Sequence, residues 1–177
     1  MSISRNRRTL LAALPALLVP WLADEARGAA RAGGAAPGSH PRAGATADEV
    51  MQGVDLAGRT IVVTGCNSGI GLEAMRVLAA NGAHVIGTAR DEARGRAACG
   101  SVRGRATPVV LELTEPESIV ACARQVATLA PRIDALVCNA GIVLDTHEQL
   151  GALEKQFAVN HLGHFLLVNL LLEHTVS

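Results

Sequence analysis

Eight consecutive residues carry the plainest chemistry in the chain: Thr64-Gly65-Cys66-Asn67-Ser68-Gly69-Ile70-Gly71. Their glycines follow a Gly-x-x-x-Gly-x-Gly spacing. Glycine lets other groups reach main-chain N–H groups that a Cβ would screen, and N–H groups gathered at the start of a helix bind anions. Gly65 permits a tight turn, Gly69 lets a pyrophosphate approach the backbone, and Gly71 lets a following helix lie close on the preceding strand. The chemistry predicted is recognition of a phosphate-bearing ligand, provided that a strand precedes the turn and a helix follows it.

The flanks meet that condition. Thr60-Ile61-Val62-Val63 is an apolar run of the kind that forms a buried parallel strand, and Leu72–Ala80 carries apolar residues at Leu72, Met75, Val77, Leu78 and Ala79, a helical pattern. Asn81-Gly82 predicts the helix stop. The alternation then continues. Residues 83–88 read as a strand, Glu92 to Cys99 as a weak helical run, and 106–113 as a strand. A helix opens at Thr114-Glu115-Pro116-Glu117, with Thr114 as cap, and runs to about Ala130. Ile133 to Val137 reads as the fourth strand. A last helix starts between Glu148 and Ala152 and continues to about Glu173. Strands alternating with helices predict an α/β fold, a Rossmann-type doubly wound parallel sheet of about four strands and four helices.

In such folds the residue at the end of the second strand selects the dinucleotide: an acid holds the ribose 2′-OH of NAD, and an Arg accommodates the 2′-phosphate of NADP. Here that end reads Thr88-Ala89-Arg90. Arg90 therefore predicts NADP(H) in preference to NAD(H), although a neighbouring Asp91 or Glu92 could occupy it in a solvated ion pair. His84 reads as a strand-edge or partly buried histidine. His161 and His164, three apart, could form a metal pair, but no third ligand completes a site.

The 177 residues suffice for one domain. Nearly half are hydrophobic and only 2% aromatic, so the core is built from Ala, Val, Leu and Ile. A formal net charge of zero gives no electrostatic case for nucleic acid. The charge is unevenly placed. Residues 1–47 hold six Arg against Asp24 and Glu25, and residues 48–177 hold ten basic against fourteen acidic side chains. Four cysteines without a Cys-x-x-Cys pair give no support for zinc and read mostly as small buried thiols.

Residues 1–23 have the basic start and the short apolar run of a targeting segment. Arg7-Arg8-Thr9-Leu10-Leu11 fits a twin-arginine export signal, which would place the protein in the periplasm or at the cell surface. An organellar transit peptide, or a start codon set upstream of a cytoplasmic protein, fits the same residues. Residues 24–47 read as a flexible Ala/Gly/Arg linker, and the domain as 48–177.

The turn, taken with Thr64, resembles the cofactor turn of the short-chain dehydrogenase/reductase family. Two further stretches share that resemblance. Cys138-Asn139-Ala140-Gly141 is similar to the family's Asn-Asn-Ala-Gly motif, with Cys138 in place of the first Asn. Residues 156–167, Gln-Phe-Ala-Val-Asn-His-Leu-Gly-His-Phe-Leu-Leu, closely resemble the corresponding helix of retinol-dehydrogenase-like members. The resemblance implies that Thr64, Gly65, Asn67, Ser68, Gly69, Ile70 and Gly71 bind the dinucleotide together with Arg90, Glu112, Leu113, Asn139, Ala140 and Gly141. Glu112-Leu113 stands where the family has Asp-Leu or Asp-Val beside the adenine. Asn139 would tie the central sheet together, the Ala140-Gly141 backbone would lie under the cofactor, and the Asn160 carbonyl would hold a water of the proton relay. The implied activity is hydride transfer between a nicotinamide and a small lipophilic alcohol or ketone. A homodimer through the 150–173 helix is implied as well.

The family's acid/base is a Tyr with a Lys four residues later, assisted by a Ser. This sequence has no Tyr, and its one lysine, Lys155, precedes Asn160. The resemblance thus covers about residues 55–177, the first half of the family's domain. That half would bind a cofactor without the catalytic residues, either as part of an enzyme or as a non-catalytic binding or interaction protein. A half-domain leaves its fourth strand as an edge and its last helix short of partners, which predicts aggregation or pairing.

Overall fold

The computed structural model describes residues 44–175. The targeting-like segment 1–23 and most of the 24–47 linker lie outside the described residues. The single-turn helix α1 (Ala47–Val50) is closed by a reciprocal cap between Thr46 and Glu49. Asp48 fastens it to the next helix through Arg76 at 2.7 Å.

The chain then runs through β1 (Thr60–Val63), α2 (Gly69–Ala80), β2 (His84–Ala89), α3 (Glu92–Ser101), β3 (Arg105–Val110), α4 (Pro116–Leu129) and β4 (Ala135–Val137). The four strands form one parallel sheet in the order β3-β2-β1-β4. The chain moves outward from β1 to β3 and then returns to the far side of β1. A reversal of this kind opens a crevice at the carboxyl ends of the strands on either side of it, here β1 and β4.

Both faces of the sheet are covered, and the period-2 alternation of strand side chains sorts the core into two layers. Ile61, Val63 and Val85 pack with Met75 and Ala79 of α2 and with Ala98 and Cys99 of α3. Val62, Ile86 and Val109 pack on the other face with Ile119, Cys122 and Val126 of α4 and with Leu167 and Leu171 further along. Pro108 is tolerated in β3 because β3 is an edge strand. β4 is the opposite edge and leaves Ala135 and Val137 exposed. Asp134, just before β4, accepts the Thr60 N–H at 2.8 Å and pairs with Arg59 at 2.8 Å. Partial burial raises its carboxyl, but the amide and the two nearby guanidinium groups outweigh that and hold it below the usual carboxylate range.

Beyond β4 come a hairpin, β5 (Gln149–Leu150) with β6 (Leu153–Glu154), a short helix α5 (Lys155–Phe157), a π-helical turn (Ala158–Gly163), and α6 (His164–Thr175). The last helix therefore begins at Lys155, later than the 148–152 expected from sequence. Gly151, with φ +61°, turns the chain into the hairpin, and the Glu154 carboxylate accepts the Gln156 and Phe157 amides, capping the helix there. Other boundaries move for similarly local reasons. α2 starts at Gly69, three residues early, because the last two glycines of the turn already lie in its first turn. β3 stops at Val110. The cap of α4 is Glu115, not Thr114, because the Thr114 hydroxyl donates to Glu112 Oε1 at 2.9 Å. α6, apolar nearly all round, buries Leu167 and Leu171 completely but leaves Phe165, Leu170 and Leu172 exposed. Within this chain it has one buried side. Among the described residues no helix is long and apolar enough to cross a membrane.

Candidate functional site

A cleft of about 710 Å³ lies at the carboxyl ends of the strands, where the topology places the crevice. It runs from Gly65, Asn67, Ser68, Ile70 and Gly71, past Thr88, Ala89 and Arg90 and past residues 111–114, to residues 139–142, Leu144, Lys155 and Val159. Eleven of the fourteen residues singled out from the sequence line it. Thr64 lies beneath it, fully buried. Gly69 stands at the rim, where an added Cβ would meet nothing within 4 Å. Asn160 lies on the π-helical turn, behind Ile142.

The turn is held by contacts that leave no room for a side chain. Gly65 has φ +71° and packs against Ala140, where an added Cβ would sit 3.0 Å from the Ala140 Cα. A Cβ on Gly71 would fall on the Gly65 carbonyl and on Asn139 Nδ2. The bare Cα of Gly71 thus lets the start of α2 lie against the chain just after β1, as expected, and against the end of β4 as well. Gly87 in β2 also permits close packing of α2 on the sheet, where a Cβ would be 2.9 Å from Met75 Sδ. Asn139 Nδ2 donates to the Thr64 carbonyl at 2.9 Å and to the Gly65 carbonyl at 3.3 Å, so it does tie β4 to β1. The Ala140 N–H donates to Thr64 Oγ1 at 2.9 Å.

Electrostatics suit a phosphate here. Ser68 is the N-cap of α2 but its side chain accepts no helix N–H, and the first turn holds no acid. The helix therefore presents free N–H groups and an uncompensated positive end to the cleft. With Gly69 open beside them, these groups fit a pyrophosphate. Arg90 lies exposed on the cleft wall just after β2. Among the described residues it forms no ion pair: Asp91 caps α3 by accepting the Arg94 N–H, and Glu92 pairs with Arg96. Glu112 is committed locally, its carboxylate accepting the Thr114 N–H and hydroxyl while its own N–H donates to Ser118 Oγ.

At the other end, Asn160 Oδ1 accepts the Ile142 N–H and its Nδ2 donates to the Ile142 carbonyl, both at 2.8 Å. Gly163 brings the π-helical turn against the loop after β3, where a Cβ would lie 2.6 Å from the Leu113 carbonyl. The two histidines diverge. His161 is exposed and stacks between Phe157 and Phe165, with ring centroids 5.1 and 6.4 Å away. His164 is buried and lies 2.9 Å from Thr64 Oγ1. Among the described residues no cluster of three or more His, Cys, Asp or Glu side chains could hold a metal. His84 is buried more fully than expected and bonds Thr107 at 2.8 Å.

Cys66 sits in the turn but points away from the cleft, donating to the Val63 carbonyl at 3.0 Å. Burial pushes its thiol up to about 12, so it stays protonated and unreactive. Cys99 and Cys122 are buried as expected, and Cys138 is exposed. Sequence reasoning missed Thr88, whose hydroxyl accepts the Gly65 N–H at 3.4 Å, and Leu144 and Lys155 at the far end. The place of Thr88 next to Ala89 at the end of β2 was the available signal. Nothing local marked the other two: Leu144 is held by its N–H donating to Gln156 Oε1 at 3.1 Å, and Lys155 follows the hairpin directly.

Comparison with known proteins agrees with this geometry. The short chain dehydrogenase family model matches residues 59–177. The human WW domain-containing oxidoreductase is 39% identical over 132 residues, 71% of this chain and 32% of that protein. Mouse retinol dehydrogenase 13 is 40% identical over 124 residues, 67% and 37% of the two chains. Among solved structures, a metagenomic short-chain oxidoreductase in complex with NADP is 32% identical with TM-score 0.57, covering 65% of this chain and 55% of that one. A 3-ketoacyl-(acyl-carrier-protein) reductase from Brucella melitensis, complexed with NADH, is 27% identical with TM-score 0.57, covering 68% and 51%. The chain spans roughly a third of the length of these two relatives.

Proposed function

The chain belongs to the short-chain dehydrogenase family, and from that premise we propose that residues 48–177 supply the cofactor-binding half of an NADP(H)-preferring oxidoreductase acting on a lipophilic alcohol or ketone. The observation that carries the cofactor choice is Arg90. It stands on the cleft wall at the end of β2, where an acid would select NAD, with its neighbouring acids already engaged. The bound nicotinamide would supply hydride transfer. The chain's own residues bind and orient: the free N–H groups at the start of α2 hold the diphosphate, Arg90 faces the 2′-phosphate, and the Ala140-Gly141 backbone floors the cleft. The lipophilic substrate class is supported by the likeness to retinol dehydrogenase 13 and by the apolar side chains around the open end. A homodimer through the 150–173 segment is supported by exposed Phe157, Phe165 and Leu172.

Titration with NADPH and with NADH, followed by nucleotide fluorescence, tests the cofactor choice. NADPH is expected to bind about tenfold or more tightly, a difference of about 1.4 kcal/mol. Equal affinities would remove the preference.

A second reading is favoured by one observation: the sequence holds no Tyr to act as proton donor. On that reading the chain binds the dinucleotide and turns nothing over. Sequencing the gene beyond the codon for Ser177 separates the two. A frame encoding a strand that ends in Ser, followed by Tyr-x-x-x-Lys, supports the oxidoreductase; a stop with no such pattern leaves binding alone.

A further inference from the structure

We propose that His164 is a positioning residue that locks the cofactor turn to the π-helical turn carrying Asn160, through a directed chain of hydrogen bonds from the Ala140 amide to the Asn160 carbonyl. The lock itself is read from geometry; its role in binding rests on the cofactor reading above.

The direction of every bond follows from its ends. The Ala140 N–H can only donate, and it donates to Thr64 Oγ1 at 2.9 Å. The Asn160 carbonyl can only accept, and His164 Nδ1 lies 3.3 Å from it. Nδ1 therefore carries the proton. A neutral imidazole then leaves Nε2 bare as an acceptor. Thr64 Oγ1 lies 2.9 Å from Nε2, so the hydroxyl proton points to His164. Among the described residues the other acceptor near that hydroxyl is the Val137 carbonyl at 3.4 Å, which already receives the Thr64 N–H at 3.0 Å. Burial pushes the imidazole below its usual range, and the Asn160 carbonyl only partly offsets this, which keeps the ring neutral.

The π-helical turn gives this bond its purpose. In a regular α-helix the backbone N–H of residue 164 would satisfy the carbonyl of residue 160. Here the His164 N–H goes to the His161 carbonyl instead. The His164 side chain takes up the Asn160 carbonyl that its own backbone has left. Asn160 in turn grips both backbone groups of Ile142. The bonds thus run Ala140–Thr64–His164–Asn160–Ile142 and encircle Gly141, the floor of the cleft. Any shift of the turn at Thr64 is passed to the carbonyl of Asn160. The imidazole supplies one donor and one acceptor on opposite edges of a rigid ring, one for each link.

The test begins on the unaltered chain, with ring ¹⁵N spectra of the histidines assigned with a His164→Phe variant. The Nδ1–H tautomer is expected for His164 at neutral pH; an Nε2–H or cationic ring overturns the lock. Should His164→Phe fail to fold, His164→Gln provides the assignment. The binding role is read from NADPH affinity in Thr64→Val, His164→Phe and the double variant. Each single change is expected to weaken binding about tenfold, and the double no more than the worse single, because both cut one chain of bonds. Multiplied losses overturn the coupling. If the unaltered chain binds neither NADPH nor NADH, the cofactor reading fails, and the tautomer alone decides for or against the lock.

Discussion

At the β1–α2 end of the cleft, one methyl group added at Gly71 would collide with the Gly65 carbonyl and the Asn139 amide. At the Val143–Leu153 end, whole side chains stand in solvent: Val143 is 91% exposed, and Leu150, Leu153 and Phe157 are all open. The first region is main chain held by main chain, with each buried side-chain polar atom of the described residues partnered. The second is a short hairpin with apolar residues facing outward. A ligand group common to every dinucleotide is met by backbone that side-chain substitution cannot remove and can only crowd. The hairpin end holds no such main-chain frame, and its exposed side chains can be exchanged without crowding the sheet.

Substitutions can break or sharpen that contrast. Gly71→Val should have the largest effect, an overpacking cost of about 2–3 kcal/mol, with nucleotide binding lost in the same titration that shows the lowered melting temperature. Asn139→Ala follows. It removes the donor to the Thr64 and Gly65 carbonyls and should cost about 1–3 kcal/mol in denaturant melts. Arg90→Ala is expected to lower NADPH affinity about tenfold, by loss of a charge-assisted contact, and to leave NADH unmoved. An equal loss for both nucleotides would show that Arg90 reads something other than the 2′-phosphate.

Acid should act on the buried histidines of the sheet framework. Burial lowers the folded-state pKa of both His164 and His84, with Arg105 adding to the effect at His84. The unfolded chain therefore takes up protons first. The stability contributed by these two rings is fully present above their unfolded value, near 6.5, and is lost as pH falls from there through the folded values. Melts from pH 7.5 to pH 5 should show the decline, with a shallower slope in His164→Phe. Leu153→Ser, in the open hairpin, should move the melt least, within about 0.5 kcal/mol. A larger loss would mean that the hairpin is packed against something, in the chain or beyond it.

Much of the tight region was legible in the residues themselves. The strand Thr60–Val63 is legible to the residue, and the glycine turn, the Ala89-Arg90 pair and Asn139 all lie at strand ends and line the cleft. These features are local, so short windows of sequence hold them. The contact of Gly71 with Gly65 is local and legible, while its contact with Asn139, on the neighbouring strand's end, is not. The sequence offers the Glu112 acid to an adenine, and the structure commits it to Thr114. The hairpin 149–154 is hidden in the sequence because nothing in its composition opposes helix except Gly151. The spacing of His161 and His164 suggests a metal pair, whereas the link of His164 to Thr64, a hundred residues away, leaves no trace in spacing.

β1 and β4 lie side by side, yet the bond from Asp134 to Thr60 closes a loop of 74 residues. β1, β2 and β3 meet through much shorter connections. Loop closure of that length delays contact formation, so β4 should dock last, onto a three-stranded sheet already formed with α2 and α3. Asn139 and Ala140 arrive with it, and the cleft exists only once they do. A dinucleotide can therefore hold only the finished arrangement. Its presence should slow unfolding by restraining the last strand to arrive, while leaving the early assembly of the first three at its own pace.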